Sequence, residues 1–443
     1  MNTSLSAASG RPLTRRDFLA LSALSGAAVL TGCATNPVTG KRELMLVSES
    51  EELRLDQQAA PHQFSADYGA INDPALNAYL EQVGREISSR SHRPGMPYSF
   101  RGVQASHVNA YAFPGGSIAT TRGILLAMQD EAELAALLGH EVGHVTSRHS
   151  AKQMTSNMLL AIGVAAASAA ASQKKEEYGM LVAGLGGLGT GLLLARYSRE
   201  NERQADELGM EYMVRAGYNP NGMIALQDQL RKLSRGKPGT LDLMFATHPM
   251  SEERYQTAVK RAGMQYASAS SFPVYRERYM DQTARLRKRQ GVVEEIQKGD
   301  REAGAGQGDA ALSHYRAALQ QAPDDYEALL KAAKVCLAMG RDNDARAYAA
   351  QAKRVYPEEA QAYHVTGLAS LKTKRFQEAF ADLDYYDRLL PGNPNTSFFA
   401  GFALENMGRK QEAAGRYRKF IQQVQQGEEA QHAYNRLVEW GAL

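Results

Sequence analysis

Apolar positions along this chain recur with different periods, and the places where the period changes divide it. Between Ser48 and Arg90 the spacing is helical and the composition polar, and Asp73-Pro74 predicts a helix start ahead of Leu76, Leu80, Val83 and Ile87. From Tyr98 to Val103 and from Ala110 to Thr120 the residues are short, β-rich stretches broken by Pro114-Gly115-Gly116, which predicts two or three strands of a small sheet. A strongly apolar helix begins near Asp130 and carries Leu134, Leu137 and Leu138. Two runs rich in Ala, Gly and Leu follow, Met158 to Ala171 and Met180 to Ala195, separated by Lys174-Lys175-Glu176-Glu177. Each is shorter than the roughly 18 residues of a spanning helix. They read as a packed or interfacial helical hairpin, with a membrane-dipping hairpin as the alternative.

The last third repeats. Pro323, Pro357 and Pro391 stand 34 residues apart, and Ala311, Ala345, Ala379 and Ala413 keep the same phase. That is the tetratricopeptide period, in which small residues let paired helices approach and prolines end each second helix. A solenoid of three full repeats and a degenerate first one fits Val292 to Leu443. Cys336 falls on a first helix of a repeat, where a buried inert thiol is expected. Arg276 to Gly291 is highly charged and reads as a linker helix.

Composition removes several classes. With 443 residues, 44% apolar and 22% charged, the chain is neither collagen-like, nor a bulk membrane protein, nor wholly disordered. The formal net charge of +3 leaves no electrostatic footprint for nucleic acid. The first residues read as an address. Thr14-Arg15-Arg16-Asp17-Phe18-Leu19 precedes an apolar, acid-free run from Leu19 to Leu30, as in a twin-arginine export signal, with a general secretory signal as the alternative. The run ends in Leu30-Thr31-Gly32-Cys33, which resembles a bacterial lipobox, so Cys33 is the expected lipidation site and the first residue of a membrane-anchored lipoprotein.

The chemistry sits in Gly139-His140-Glu141-Val142-Gly143-His144. His140 and His144 are four apart, about 40° around a helix, so both imidazoles can meet one ion, and Glu141 can reach a water there as general base. A metzincin would place glycine at 147 and histidine at 150, but both positions are serine. His149 lies nine residues from His140, about 180° around a continuous helix, and is excluded as a ligand. Beyond the apolar runs, Glu202 and Asp206 share a helical face that Glu200 does not. Glu202 is therefore the expected third ligand, and Asp206 the carboxylate that orients a ligand histidine.

His140-Glu141-x-x-His144 followed by Glu202-x-x-x-Asp206 resembles the HtpX and CAAX prenyl protease superfamily of gluzincins, and the arrangement resembles its periplasmic BepA-type members, which join such a domain to tetratricopeptide repeats. Asn36-Pro37-Val38-Thr39-Gly40-Lys41, Asn109 to Gly116, and Thr247-His248-Pro249 with Arg254 carry the same likeness. The resemblance implies an α+β, mostly helical protein: signal 1–33, zinc metalloprotease domain with a small sheet 34–270, linker helix 271–291, and an α-solenoid of repeats 292–443. It also implies one Zn²⁺ per chain and endopeptidase activity on misfolded or stalled outer-membrane proteins in the periplasm. The repeats would engage the outer-membrane protein assembly machinery, either alongside proteolysis or as a chaperone or scaffold whose protease site is mostly shut. By the same likeness His248 takes the fourth zinc position and holds the enzyme closed; otherwise it is a loop histidine ahead of a helix beginning at Pro249. Arg254 is either a stabiliser of the reaction's oxyanion or a surface salt-bridge partner. The segment Phe113 to Ile118 is expected to offer an edge strand to an extended substrate.

Overall fold

The computed structural model describes residues 33–159, 197–234, 248–249 and 251–443. The signal up to residue 32, nearly all of the two apolar runs, and Thr247 lie outside the described residues. Among the described residues no helix is long and apolar enough to cross a membrane.

Strands β1 (Cys33–Thr35) and β2 (Arg42–Leu44) form an antiparallel ribbon. The Asn36 side chain shapes its turn, accepting hydrogen bonds from the Val38 and Thr39 amides at 2.8 and 3.1 Å. Helix α1 (Glu49–Ala66) starts at Ser48, whose hydroxyl accepts from the Glu51 amide, and α2 (Pro74–Ser88) starts at Asp73 with Pro74 in its first turn. The periodic residues of α2, Leu76, Leu80, Val83 and Ile87, are all buried.

They pack under a three-stranded sheet of β3 (Ser99–Val103), β4 (Ala110–Ala112) and β5 (Ser117–Thr121), in the order β3-β5-β4. β3 and β5 run parallel with Phe100 opposite Ile118, and β4 and β5 run antiparallel with Tyr111 opposite Ala119. The strand that contains Ile118 is thus central, which corrects the expected edge at Phe113–Ile118. Ala70 and Ile71 bond to the outer side of β3, so β4 is the outer strand, packed beside the central helix.

That helix follows α3 (Arg122–Ala127). It is α4 (Glu131–Thr146), capped by Asp130 and buried along its whole length. A further helical stretch covers 149–159. Helices α5 (Arg199–Arg215), α6 (Asn221–Ser234) and α7 (Glu252–Met264) complete the shell around α4. The segment expected as one linker helix is instead two short helices, α8 (Arg276–Gln282) and α9 (Ala284–Arg287), broken at Thr283. They are held rather than free: Tyr279 is fully buried and donates to the Leu125 carbonyl at 2.6 Å, and Leu286 joins the same core as α2 and α4.

Helix pairs then stack: α10 (Gln290–Gly304) with α11 (Gly308–Gln321), α12 (Tyr326–Ala338) with α13 (Asp342–Val355), α14 (Gln361–Lys372) with α15 (Phe376–Leu389), and α16 (Pro394–Asn406) with α17 (Lys410–Ile421), closed by α18 (Glu428–Glu439). The phased alanines 311, 345, 379 and 413 are fully buried at the pair contacts. Each phased proline stands two residues past the end of a second helix. Gly340 and Gly408 take φ of 73° and 76° in the turns inside their pairs, a conformation that favours glycine. Cys336 is buried on α12, as expected.

The repeats dock on the sheet through buried charge. Arg122, directly after β5, meets Asp325 at 2.7 Å and Glu327 at 2.7 Å, and Glu327 also accepts from the Ser106 amide and hydroxyl at 3.0 and 2.9 Å. Glu359 accepts from Ser65 of α1 and from Tyr326. Replacing Arg122 with methionine would take from two buried carboxylates the cation they share, leaving Glu327 to Lys331 at 3.2 Å and Asp325 to Arg289 at 3.8 Å, at a cost of about 3–5 kcal/mol. Urea unfolding of the variant is expected to show the lower midpoint; a midpoint equal to the wild type's would contradict this interface.

Candidate metal centre

Two helices make the site, and glycines let them meet. A Cβ on Gly139 of α4 would stand 2.8 Å from the carbonyl oxygen of Gly209 on α5, one on Gly143 3.0 Å from that of Ala205, and one on Gly209 2.7 Å from the His140 nitrogen. No side chain fits there, so the backbones touch. His140 and His144 are thereby laid against Glu202 and Asp206.

The four expected donors converge. Nε2 of His140 lies 3.1 Å from Nε2 of His144 and 3.4 Å from Nδ1 of His248. Glu202 Oε1 lies 3.4 Å from His144 Nε2 and 3.0 Å from His248 Nδ1. All four residues are buried, and their donor atoms lie within 4.8 Å of one another. Ligand atoms about 2.0–2.1 Å from a tetrahedral ion stand about 3.3 Å apart, close to these separations.

The hydrogen bonds behind the rings say which nitrogens carry protons. His140 Nδ1 faces Asp206 Oδ1 at 3.0 Å, so it donates there and Nε2 keeps its lone pair. Behind His144 stands His149, with Nδ1 at 2.9 Å from His144 Nδ1 and Nε2 at 3.0 Å from Gln204 Oε1. The amide oxygen accepts from His149 Nε2, so His149 accepts from His144, and His144 Nε2 is also left with a lone pair. Burial holds His149 neutral, pushing its pKa down to about 4. Two lone pairs thus face each other at 3.1 Å beside a carboxylate. The arrangement is repulsive without a cation and fits one; His140, His144, Glu202 and His248 are the residues that would hold it.

His149 is not opposite the site, as a continuous helix would place it. Helix α4 ends at Thr146, Arg148 takes a left-handed φ of 56°, and the chain re-enters helix at 149 on the other side of the break. Its exclusion as a direct ligand stands among the described residues, but it sets the proton on a ligand. Tyr197 was also not anticipated: its ring stacks on His144 with centroids 4.0 Å apart. Spacing gave no signal for either: His149 follows the left-handed Arg148 at the end of α4, and Tyr197 lies 53 residues from His144, just ahead of α5.

Arg254 differs from both expectations. It is buried, not a surface partner, and its guanidinium is directed at the site's carboxylates rather than at an open face. Nε and Nη2 bond both Asp206 oxygens at 2.6 and 2.7 Å, and Nη1 reaches the Pro249 carbonyl at 3.0 Å and Glu202 Oε2 at 2.7 Å. Among the described residues Glu202 Oε2 has no hydrogen bond of good geometry, so that last contact is an ion pair off the bonding direction. Burial raises the Asp206 pKa, but the Arg254 charge and its hydrogen bonds, with those of His140, overcome it and bring it to about 2. The expected helix start at Pro249 is likewise corrected: α7 begins at Glu252, capped by the Ser251 hydroxyl. Glu141 is buried at the rim of the cluster, Oε1 3.9 Å from His248 Nε2, and burial raises its pKa.

Comparison with known proteins agrees with this geometry. The profile of peptidase family M48 matches residues 74–262, and a tetratricopeptide repeat profile matches 302–368. The beta-barrel assembly-enhancing protease of Yersinia pestis is 31% identical over 228 residues, 48% of this chain and 46% of that protein. Its counterpart in Escherichia coli is 29% identical over 198 residues, 43% and 40% of the two chains. Metalloprotease LoiP of Escherichia coli is 30% identical over 245 residues, 53% of this chain and 93% of that protein. The match thus spans less than half the length of the beta-barrel assembly-enhancing relatives.

The helix contact generates a paired prediction. Gly209→Ala is expected to lose about 1–3 kcal/mol through overpacking and to bind less zinc per chain. Gly263→Ala, on α7 where a Cβ meets nothing within 4 Å, is expected to gain about 0.5–1 kcal/mol at unchanged zinc content. Thermal unfolding with metal analysis measures both; equal behaviour of the two variants would contradict the close crossing.

Proposed function

Because the chain belongs to peptidase family M48, we propose that it is a zinc-dependent endopeptidase of the bacterial envelope that cuts misfolded or stalled outer-membrane proteins. The observation that carries this reading is the buried meeting of His140, His144, Glu202 and His248 with Glu141 at its rim. Zinc bound there supplies a Lewis acid that acidifies water and polarises a peptide carbonyl.

The chain's own residues do the rest. Asp206 and His149 hold the two histidines in the tautomer that offers Nε2. Arg254 acts as a positioning residue, keeping Asp206 ionised and holding the Asp206 and Glu202 carboxylates in place. Glu141 takes the proton of the attacking water and passes it to the leaving nitrogen. The outer strand β4, beside α4, offers main-chain groups to an extended substrate, so recognition reads backbone first. His248 fills the fourth position, and activity requires it to withdraw.

In this reading residues 34–270 form the catalytic unit and 292–443 an adaptor for the outer-membrane assembly machinery. Cys33 is the lipidated residue that anchors the protein, on the periplasmic side, to the outer membrane. A second reading makes the repeats the main function, as a chaperone or scaffold with the protease site mostly shut; the occupied fourth donor position favours keeping it in view.

Glu141→Gln is expected to keep its zinc and lose casein cleavage by about 10²–10⁴-fold, while Glu202→Ala loses the metal as well. Full activity of Glu141→Gln in the cell would favour the scaffold over the protease. His248→Ala is expected to raise cleavage of an unfolded substrate with the other three ligands intact; lower activity at unchanged zinc content would reject the closed-state role.

A further inference from the structure

Helix α6 packs on α4 with Met223, Leu226 and Leu230 turned toward Leu137, and Gln227 sits in the same stripe. Gln227 is only 2% exposed. Among the described residues neither its carboxamide oxygen nor its nitrogen has a hydrogen-bond partner. A buried polar group in that state forfeits its water bonds and gains nothing in return, and such groups are rare enough in native proteins to call for a cause. The cause is visible next to it: a cavity of about 20 Å³ lined by Gln227 and those apolar side chains on one side and by the polar groups of the metal centre on the other, Glu141 and His248 together with His140, Asp206 and Arg254, whose guanidinium is already taken up by Asp206 and Glu202. The orphaned amide therefore borders the same space as the general base and the fourth donor.

We infer that this cavity is a specificity pocket for the substrate side chain next to the scissile bond, and that Gln227 selects a carboxamide side chain, asparagine or glutamine. The inference rests on the protease reading and adds the substrate class. A free carboxamide presents one acceptor and one two-proton donor side by side. A second carboxamide satisfies both at once, whereas a carboxylate offers acceptors only, an ammonium donors only, and an aliphatic chain neither. The apolar walls take the methylene part of the side chain, and Met223 is a flexible wall that adapts to its length. At its present size the cavity holds about one water, so it admits a side chain once His248, which forms part of its lining, has moved aside. Opening the fourth donor position and opening this pocket are then one event. A site built to hydrogen-bond its ligand rejects an isostere lacking those groups far more strongly than a greasy pocket rejects a polar one.

The test uses the full chain loaded with zinc. Cuts in unfolded casein are mapped by mass spectrometry for the wild type and for Gln227→Met, an almost isosteric change. Two peptides differing only by Gln or Met at the residue beside the preferred bond are then compared by kcat/KM. The wild type is expected to favour the Gln peptide at least tenfold, and Gln227→Met to lose or invert that ratio at unchanged zinc content. Casein cleavage with no amide preference in the wild type overturns the pocket and leaves the protease reading standing. An unchanged peptide ratio for Gln227→Met overturns it too, making Gln227 a core residue with no part in substrate choice. Zinc-loaded wild type and His248→Ala that both fail to cut casein would overturn the protease reading, and the pocket with it.

Discussion

Everything at the metal centre depends on how closely α4 and α5 approach. The contact is backbone against backbone: at Gly139 and Gly209 the separations are ones no Cβ tolerates, and at Gly143 against Ala205 a Cβ would be tight. Ordinary side chains between two helices hold their axes about 8–10 Å apart; glycine at the crossing lets α4 and α5 come closer, which fixes the histidines of one against the carboxylates of the other. The glycines weaken each helix on its own. Burial of all of α4 in the core offsets that loss, because tertiary packing, more than propensity, holds a buried helix.

Charge organises what packing has brought together. Glu202 and Asp206 lie one turn apart on α5, and Arg254 reaches over from the start of α7 to both. An uncompensated carboxylate would be expensive at that depth. With Arg254 in place, Asp206 stays ionised and can accept from His140, while Glu202, against its burial, is held ionised chiefly by the imidazoles it faces, His248 first, then His144 and His140. His149 and Gln204 do the corresponding work for His144 without any charge. One ligand histidine is thus backed by an ion pair and the other by a neutral relay, and both end with the same nitrogen facing inward.

How much of this was legible in the sequence follows from the range of each interaction. His140, Glu141, His144, Glu202 and Asp206 could be read because helical spacing alone puts them on shared faces. The repeats could be read because a 34-residue period survives divergence in every other position. His149 escaped because its place depends on where α4 stops, and a left-handed Arg148 reverses the angular arithmetic. Arg254 could be nominated from its neighbourhood in the chain, but not its partners, since those lie 48 and 52 residues away on another helix. The order of the strands was unreadable for the same reason: nothing local distinguishes central β5 from outer β4. Gln227 gave no signal at all, because a glutamine in an apolar stripe looks like a half-exposed residue until the opposite helix covers it.

The repeats reach the site through that same sheet. Arg122 is the residue after β5, and Ser106 lies in the loop that leads into β4; because the two strands are antiparallel, Asp325 and Glu327 grip one and the same end of the pair from outside. β4 has only three residues and one paired neighbour. A strand so short has little holding power of its own. Its position beside α4 therefore depends on β5, whose end is tied by the buried carboxylates of α12. In the proposed reaction the substrate backbone lies against β4, and its distance from Glu141 is set by where that strand sits. The solenoid is in this sense part of the scaffold of the active site, and a change at its first full helix pair is carried to the substrate strand by a chain of two hydrogen-bonded elements.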